Sequence, residues 1–512
     1  MNFTTNSPIH CEGQWNCSPN FLFNMLSIWS FLLLLVLFKS TTLVISHENP
    51  GQKWALLVAG SNGWYNYRHQ ADICHAYQIL RKHGIPDSNI VVMMYDDIAY
   101  NEENKLSGKI INHPHGVDDV NVNNFMKILL GKEKEMQHIG SGKVIKSGPD
   151  DHIFINFVDH GGKGILCFPE GEMTIGELNK TLTEMHRLKK YGQMLIYIEA
   201  CESGSMFKNI LPNDIKIYAT TAANARESSY ACYFSEELET YLGDCYSVNW
   251  MENSDQELLW LETVREQYNI VKFETNTSHV SEFGDRSVSE DYLSDFQGEE
   301  IFFKFGNSLF LKLLQQQPQN RRPPNVHLDA VSSRDVPLEI LKRKVSKNGY
   351  ESDAARQNLH SLLMKRKYVD EFINQMVVEI SKHFHLNHDA MLTKRVADDV
   401  MDFDCHTKLV HHFSRNCFSF SKNTYALKYA YVLTNLCNTG IPSSLTLTKH
   451  TVDKAAAAHE YRTINSIFLN LLSEYAIFVL LLFFTIYFSQ LDAVLFQARV
   501  FFSGMSESNH HV

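Results

Sequence analysis

Two short segments carry the residues best suited to chemistry: FVDHG, which holds His160, and YIEACESGSMF, which holds Cys201, 41 residues further on. Each follows a run of β-branched and aromatic residues. Each reactive side chain should therefore sit at the carboxyl end of a buried strand, where open α/β sheets assemble their sites. A thiol and an imidazole delivered to one sheet edge are a nucleophile with its base. The imidazole favours the thiolate and later protonates the leaving amine. The pair alone leaves a structural role open, because a Cys outside a disulfide is among the most buried residue types. Gly161, Gly162 and Gly204 permit close backbone approach, so neighbouring N–H groups could form an oxyanion hole. Asn66, just after the first strand, is placed to orient the imidazole.

The elements that must position these residues alternate. Residues 53–61 read as a buried strand ending in a Gly-Ser-Asn-Gly turn, and 66–83 as a helix stopped by Gly84-Ile85-Pro86. Strands follow at 89–95, 152–159, 193–199 and 216–221, with helices at 122–130 and 173–188. Strands alternating with helices imply a parallel sheet with right-handed crossovers, a three-layer α/β domain. Residues 315–337 are polar and proline-rich without apolar periodicity, which predicts an exposed, cleavable linker. From about 351 to 437 the pattern turns wholly helical, with Leu359, Leu362 and Leu363, then Val369, Phe372, Ile373 and Met376, at helical spacing.

A chain of 512 residues with 44% hydrophobic and 21% charged residues suits two or three domains with a large core. A net charge of −11 and the lack of a basic-aromatic stripe argue against nucleic acid. Ten Cys without a C-x-x-C pair argue against zinc or a dithiol redox centre, and no metal ligands or cofactor motif stand out. Residues 338–454 hold 17 Lys/Arg against 12 Asp/Glu, plus eight His, so a basic module should dock on an acidic body. The apolar run 21–38 reads as an export signal, better formed if translation starts at Met25. A second apolar run, 467–488, suits either a membrane anchor or a buried or interfacial helix. Sequons at Asn179 and Asn276 fit glycosylation in a lumenal body.

The segments SNGWYNYRHQADICHAYQIL, VMMYDDIA, DHGGKGIL, YIEACESGSMF and YATTAANARESSYACY together resemble the legumain family, the asparaginyl endopeptidases of the clan CD cysteine proteases. The likeness continues through LGDCYSVNWMENSD and TNTSHVSEFG and resumes at DVPLEILKRK and YALKYAYVLTNLC. The resemblance implies a caspase-like three-layer domain with a mainly parallel sheet, followed by an all-α C-terminal prodomain. The implied divisions are an extension and signal over 1–46, peptidase domain 47–312, linker 313–350, prodomain 351–453 and tail 454–512. It makes Cys201 the nucleophile, His160 the base and Asn66 the orienting residue. Asp159 matches a position whose succinimide form is linked to peptide ligation. An asparagine pocket would use Arg68, Glu199, Ser228 and Asp244, because a carboxamide needs a donor for its oxygen and acceptors for its NH2. Read without the resemblance, Arg68 and Asp244 suit a surface ion pair, Glu199 a structural carboxylate and Ser228 a helix cap.

The resemblance further implies a cofactor-free zymogen that is activated in acid and cleaves after Asn, and after Asp once acid neutralises that side chain. Self-cleavage would fall at Asn348 or Asp335. Cys405 and Cys437 would pair, leaving Cys417 outside that bond. Partners would be protein and peptide substrates, the chain's own prodomain and cystatin-type inhibitors, in a lysosome or vacuole reached by the secretory route. The chain departs from the family in four places. About a dozen residues are missing near residue 117, beside the substrate groove. Cys245 replaces a Trp, a fourth prodomain Cys expected near His450–Val452 is absent, and the apolar tail is extra. Alternatives are a catalytic subunit of the GPI transamidase, which shares His-Gly-Gly and a C-terminal membrane helix, or an inactive membrane-tethered pseudoprotease.

Overall fold

The computed structural model describes residues 51–108, 119–298, 328–347, 350–393 and 402–440. The signal region 1–46, residue 117 with its shortened loop, Asn348 and the tail 454–512 with its apolar run 467–488 lie outside these. Among the described residues no helix is long and apolar enough to cross a membrane.

Strands β1 (Lys53–Ala59), β2 (Ile90–Met93), β3 (His152–Val158), β7 (Gln193–Glu199) and β8 (Ile217–Thr221) build the principal sheet. Between them lie the short strands β4 (Gly161–Gly162), β5 (Ile165–Cys167) and β6 (Glu172–Thr174). After them come β9 (Tyr230–Ser235), β10 (Thr240–Asp244), β11 (Ser281–Gly284) and β12 (Val331–Ser332). The principal sheet runs β11-β8-β7-β3-β1-β2, with β11 antiparallel at one edge and the remaining pairings parallel. Ala55 through Ala59 are fully buried, as continuous apolar runs must be in a sheet covered on both faces.

Helices α1 (Tyr67–Lys82), α4 (Cys245–Gln256) and α5 (Val264–Glu274) cover one face through Ile73, Ile79, Trp250 and Val271. Helices α2 (Val122–Leu129) and α3 (Ile175–Arg187) cover the other through Phe125, Leu129, Leu178 and Leu182. Helix α3 starts two residues later than its periodicity suggests. Glu177 reaches back to the Thr174 N–H at 2.8 Å, and that capping contact gives Met173 to β6.

The C-terminal module comprises α6 (Val336–Ser346), α7 (Tyr350–Phe384), α8 (Phe403–Asn416) and α9 (Ala430–Cys437). Val369, Phe372, Ile373 and Met376 of α7 pack with Leu409, Phe413 and Leu433, and Ile165 and Cys167 of β5 join the same core. A disulfide joins Cys405 to Cys437. The exposed linker expected over 315–337 needs correction at its end. Residues 331–332 form β12 on the edge of β9, and Ser333, Arg334 and Val336 are buried. Polar composition suggested exposure, but these polar groups find their partners inside the cleft described next.

Candidate active site

The parallel register pairs Val158 with Glu199, so the chain leaves β3 and β7 side by side and carries His160 and Cys201 out at one edge. Gly161 is required there. A Cβ on it would lie 2.5 Å from the Cys201 carbonyl oxygen. Directly after Cys201 the backbone turns sharply, with Glu202 in the left-handed region at φ 54°. Gly204 permits close approach there, and its own N–H is bonded to the Ala223 carbonyl at 3.0 Å.

Asn66 sits in a 3-10 turn between β1 and α1. Its Nδ2 donates to the Asn62 carbonyl at 2.8 Å, so its Oδ1 faces His160 Nε2, also at 2.8 Å. An amide oxygen there places the imidazole proton on Nε2 and leaves Nδ1 as the basic nitrogen. Nδ1 has no hydrogen-bond partner among the described residues. Burial first, then the charges of Arg68 and Arg334, holds the imidazole well below its ordinary range, so it is neutral. The Cys201 thiol is 1% exposed and accepts from the Ser229 N–H at 3.4 Å. Asp159 is buried beside His160, and burial pushes its carboxyl well up.

Arg68 and Asp244 are not a surface pair. Both are buried, and Arg68 Nε donates to Asp244 Oδ1 at 2.8 Å. Arg68 Nη1 donates to the Tyr65 carbonyl at 2.9 Å, whereas Nη2 is buried without a hydrogen-bond partner among the described residues. Glu199 Oε2 accepts from Ser247 N and Oγ at 3.1 and 3.2 Å, while Oε1 is likewise unpartnered. Burial raises the carboxyls of both Glu199 and Asp244, and the Asp244 charge lifts Glu199 further. The arrangement can hold a small neutral group that accepts one hydrogen bond and donates others.

Ser229, rather than the half-buried Ser228, is the serine against Cys201. Ser228 rests on the resemblance alone, and both serines precede β9, so no strand alternation chooses between them. His69 was also missed. Its Nδ1 lies 2.6 Å from Ser61 Oγ and 3.4 Å from Asp159, and its Nε2 lies 3.6 Å from Asp244. Polar residues of YRHQAD occupy the face of α1 that turns inward, but composition alone does not say which way that face points. His69, Asp159 and His160 lie close enough to share an ion, with His69 Nδ1 on Ser61 and His160 Nε2 on Asn66.

The cleft is filled by the chain itself. Val331 and Ser332 pair antiparallel with Ala231 and Tyr230, and the Ser333 N–H donates to the Ser229 carbonyl at 3.0 Å. The Ser333 hydroxyl then lies 3.4 Å from Asp244 Oδ1 and 3.2 Å from Ser229 Oγ. After it the chain enters a 3-10 turn and α6. Arg334 Nη2 bonds the Glu202 carboxylate and the Gly161 carbonyl, each at 2.8 Å. Asp335 lies beyond the pocket, its carboxylate 2.6 Å from Arg366.

Ion pairs concentrate at the end of α6, where Lys344 meets Glu103 at 3.1 Å and Lys347, just past the helix, meets Glu239 at 2.6 Å. The later helices dock by apolar packing and hydrogen bonds, together with the pairing of His411 on α8 with Glu177 on α3 at 3.6 Å. Leu427 and Ala430 press on Gly162, and Glu172 accepts from Ser414 Oγ and from the N–H groups of Phe420 and Ser421.

In comparisons with known proteins, residues 53–299 match the peptidase C13 family and residues 357–454 the legumain prodomain. Legumain of Rattus norvegicus is 47% identical over 434 residues, spanning 80% of this chain and 94% of its own length. The vacuolar-processing enzyme delta-isozyme of Arabidopsis thaliana is 41% identical, spanning 76% of this chain and 88% of its own length. Among solved structures, caspase-1 of Spodoptera frugiperda covers half of this chain at 11% identity and a TM-score of 0.31.

Proposed function

The chain belongs to the legumain family of C13 peptidases, and from that premise we propose which of its residues carry the reaction and its control. It is a cysteine endopeptidase that cleaves after asparagine and is made as a zymogen. Cys201 attacks the carbonyl carbon of the scissile bond, and His160 takes the thiol proton at Nδ1 and returns it to the leaving amine. Water then hydrolyses the thioester. Asn66 holds the imidazole in the tautomer that keeps Nδ1 basic.

One observation carries the specificity: Arg68 Nη2 and Glu199 Oε1 are buried and unpartnered, on either side of Asp244 in the chain of contacts. Leaving such groups unpaired costs roughly 1–3 kcal/mol each, so they suit a ligand that satisfies both. An asparagine carboxamide does so, its oxygen accepting from Arg68 and its NH2 donating to Glu199 and Asp244. An ionised Asp presents only acceptors to those carboxylates and would need a proton, so cleavage after Asp belongs to acid. Ser333 occupies the place of the residue before the scissile bond with a side chain too short to satisfy the pocket. That, with the helical turn behind it, makes the segment an occupant and not a substrate.

Neutral Asp159, next to the His160 backbone N–H, has the protonation state that succinimide formation and ligation require. Activation would follow acidification and self-cleavage at Asn348 or Asp335. The lumen of a lysosome or vacuole, protein substrates and cystatin-type inhibitors fit this reading. So does glycosylation at Asn276, which is exposed after α5; Asn179 is half-buried within α3. Membrane anchoring through 467–488 is a separate proposal, decided by carbonate extraction of the full chain. The catalytic reading is tested by shifting the secreted protein to about pH 5 and assaying an Ala-Ala-Asn fluorogenic peptide beside Cys201→Ser. Turnover that Cys201→Ser retains, or no turnover at all, would overturn it.

A further inference from the structure

Helix α1 sends a second buried polar side chain toward the pocket, one turn after Arg68. Asp72 is 2% exposed, and no step proposed above uses it. Its Oδ2 accepts from the Asp244 N–H at 3.3 Å, and the two carboxyls are close enough to act on each other electrostatically. Gly243, the residue before Asp244, is required mainly by Val248, whose Cγ2 would lie 2.5 Å from a Cβ built there, and Asp72 Oδ1 would lie 3.3 Å from the same Cβ.

Three carboxyls, those of Asp72, Glu199 and Asp244, therefore share one enclosed region with a single guanidinium. Full ionisation would leave two uncompensated negative charges away from water, so a proton must stay on one of them. The geometry says which. Asp244 has Arg68 Nε on Oδ1 at 2.8 Å and His69 Nε2 at 3.6 Å from Oδ2. Glu199 has two donors from Ser247. Asp72 has one long backbone contact; the Arg68 charge reaches it more weakly than those of Asp244 and Glu199, and the thiols of Cys74 and Cys232 supply no cation. Burial and the charges of Asp244 and Glu199 push its carboxyl well up, in agreement with that assignment.

We propose that Asp72 is a positioning residue of the specificity pocket: it stays protonated, donates to Asp244, and fixes that carboxylate as acceptor for the substrate's carboxamide. Asp72 does not touch substrate. It holds Asp244 from behind while Arg68 holds it from the side, so that Asp244 keeps its acceptor face toward the pocket. The proposal deepens the asparagine-pocket reading and rests on it.

A neutral donor and an anion at this position make opposite predictions for an isosteric amide. In the activated enzyme, Asp72→Asn keeps shape and donor but cannot ionise, whereas Asp72→Leu keeps bulk and loses the donor. With an Ala-Ala-Asn fluorogenic peptide, kcat and KM of Asp72→Asn should stay within about threefold of wild type. Asp72→Leu should raise KM about tenfold or more with kcat within about threefold, since Cys201 and His160 are untouched. Should Leu fail to pack, Asp72→Ser, whose hydroxyl is too short to span to Asp244, replaces it. Asp72→Asn as damaging as Asp72→Leu, or Asp72→Leu and Asp72→Ser without effect on KM, would overturn the proposal while the pocket reading stands. Wild-type enzyme without Cys201-dependent turnover would overturn both.

Discussion

Arg334 Nη2 lies 2.8 Å from the carboxylate of Glu202, the residue immediately after the nucleophile, and 2.8 Å from the carbonyl of Gly161, the residue immediately after the base. One guanidinium thus spans both halves of the catalytic pair. It also keeps the active-site imidazole depressed, since its charge adds to burial and to Arg68 in disfavouring a protonated His160. The cleft of the zymogen is in this way blocked sterically and held electrostatically unfit for an ion pair of thiolate and imidazolium.

Arg334→Ala should therefore release latency. Removing one partner of a buried pair leaves Glu202 uncompensated, a cost of about 3–5 kcal/mol, and the cost falls on the closed arrangement because an open cleft lets water reach Glu202. The uncleaved variant, held latent by omitting the acid step, should hydrolyse an Asn peptide at neutral pH at least about tenfold faster than the uncleaved wild type. Equal rates would show that Arg334 adds nothing to closure.

Glu199→Gln should change which residue is cleaved. The substitution places an NH2 donor where Oε1 now accepts, so a carboxylate before the scissile bond meets a second donor beside Arg68. The ratio of kcat/KM for an Asn peptide over an Asp peptide should fall by about a hundredfold, or roughly 2.7 kcal/mol. The expected route is loss with Asn and gain with Asp near neutral pH. A parallel loss for both peptides would mean that Glu199 supports the pocket without reading the amide.

Asn66→Ala tests the tautomer argument. Without the Oδ1 acceptor, His160 can rotate or place its proton on Nδ1, and either removes the base from the thiol. The expectation is a fall in kcat of about tenfold to a hundredfold with KM little changed. Asn66→Asp, which keeps the acceptor, should retain more activity than Asn66→Ala; the reverse order would contradict the assigned proton position.

The legible parts of the molecule are those where local pattern and tertiary role coincide. Strands β1, β3 and β7 are buried on both faces, so their apolar runs announced them and put His160 and Cys201 at one edge. The amphipathic repeat around Val369 to Met376 likewise fits α7. What stayed hidden has polar composition in buried surroundings. Arg334 and Ser333 looked like linker because their partners, Glu202, Gly161 and Ser229, lie more than a hundred residues away in sequence for the arginine and the serine alike. Asp72 and His69 looked like the outer face of an ordinary helix. Only the approach of β10 to α1 reveals that this face turns inward toward Asp244. Strand β12, two residues long, has no periodicity to read.

Two histidines on α8 set opposite signs on the pH dependence of prodomain docking. His406 is buried with Nε2 3.2 Å from the Lys163 carbonyl, and burial above all lowers its pKa to about 4. Released, it would titrate near its ordinary value of about 6.5. Above that value it contributes nothing to pH dependence. Between about 6.5 and 4 the released form takes a proton that the docked form refuses, so docking weakens by up to about 3 kcal/mol as pH falls. His411 runs the other way. Its ion pair with Glu177, Nε2 3.6 Å from Oε1, raises its pKa, so its contribution to docking is complete below about 6.5 and fades as pH rises through the raised value. At about pH 5 the His411 contribution is therefore still present, and His406 drives release against it. His406→Gln, which keeps a donor for the carbonyl but cannot charge, should require a lower pH for prodomain release. His411→Gln should allow release at a higher pH. Size-exclusion chromatography of the cleaved two-chain form across pH 4–7 reads both shifts directly. If both variants moved the release midpoint in the same direction, the proposed opposition between His406 and His411 would be wrong.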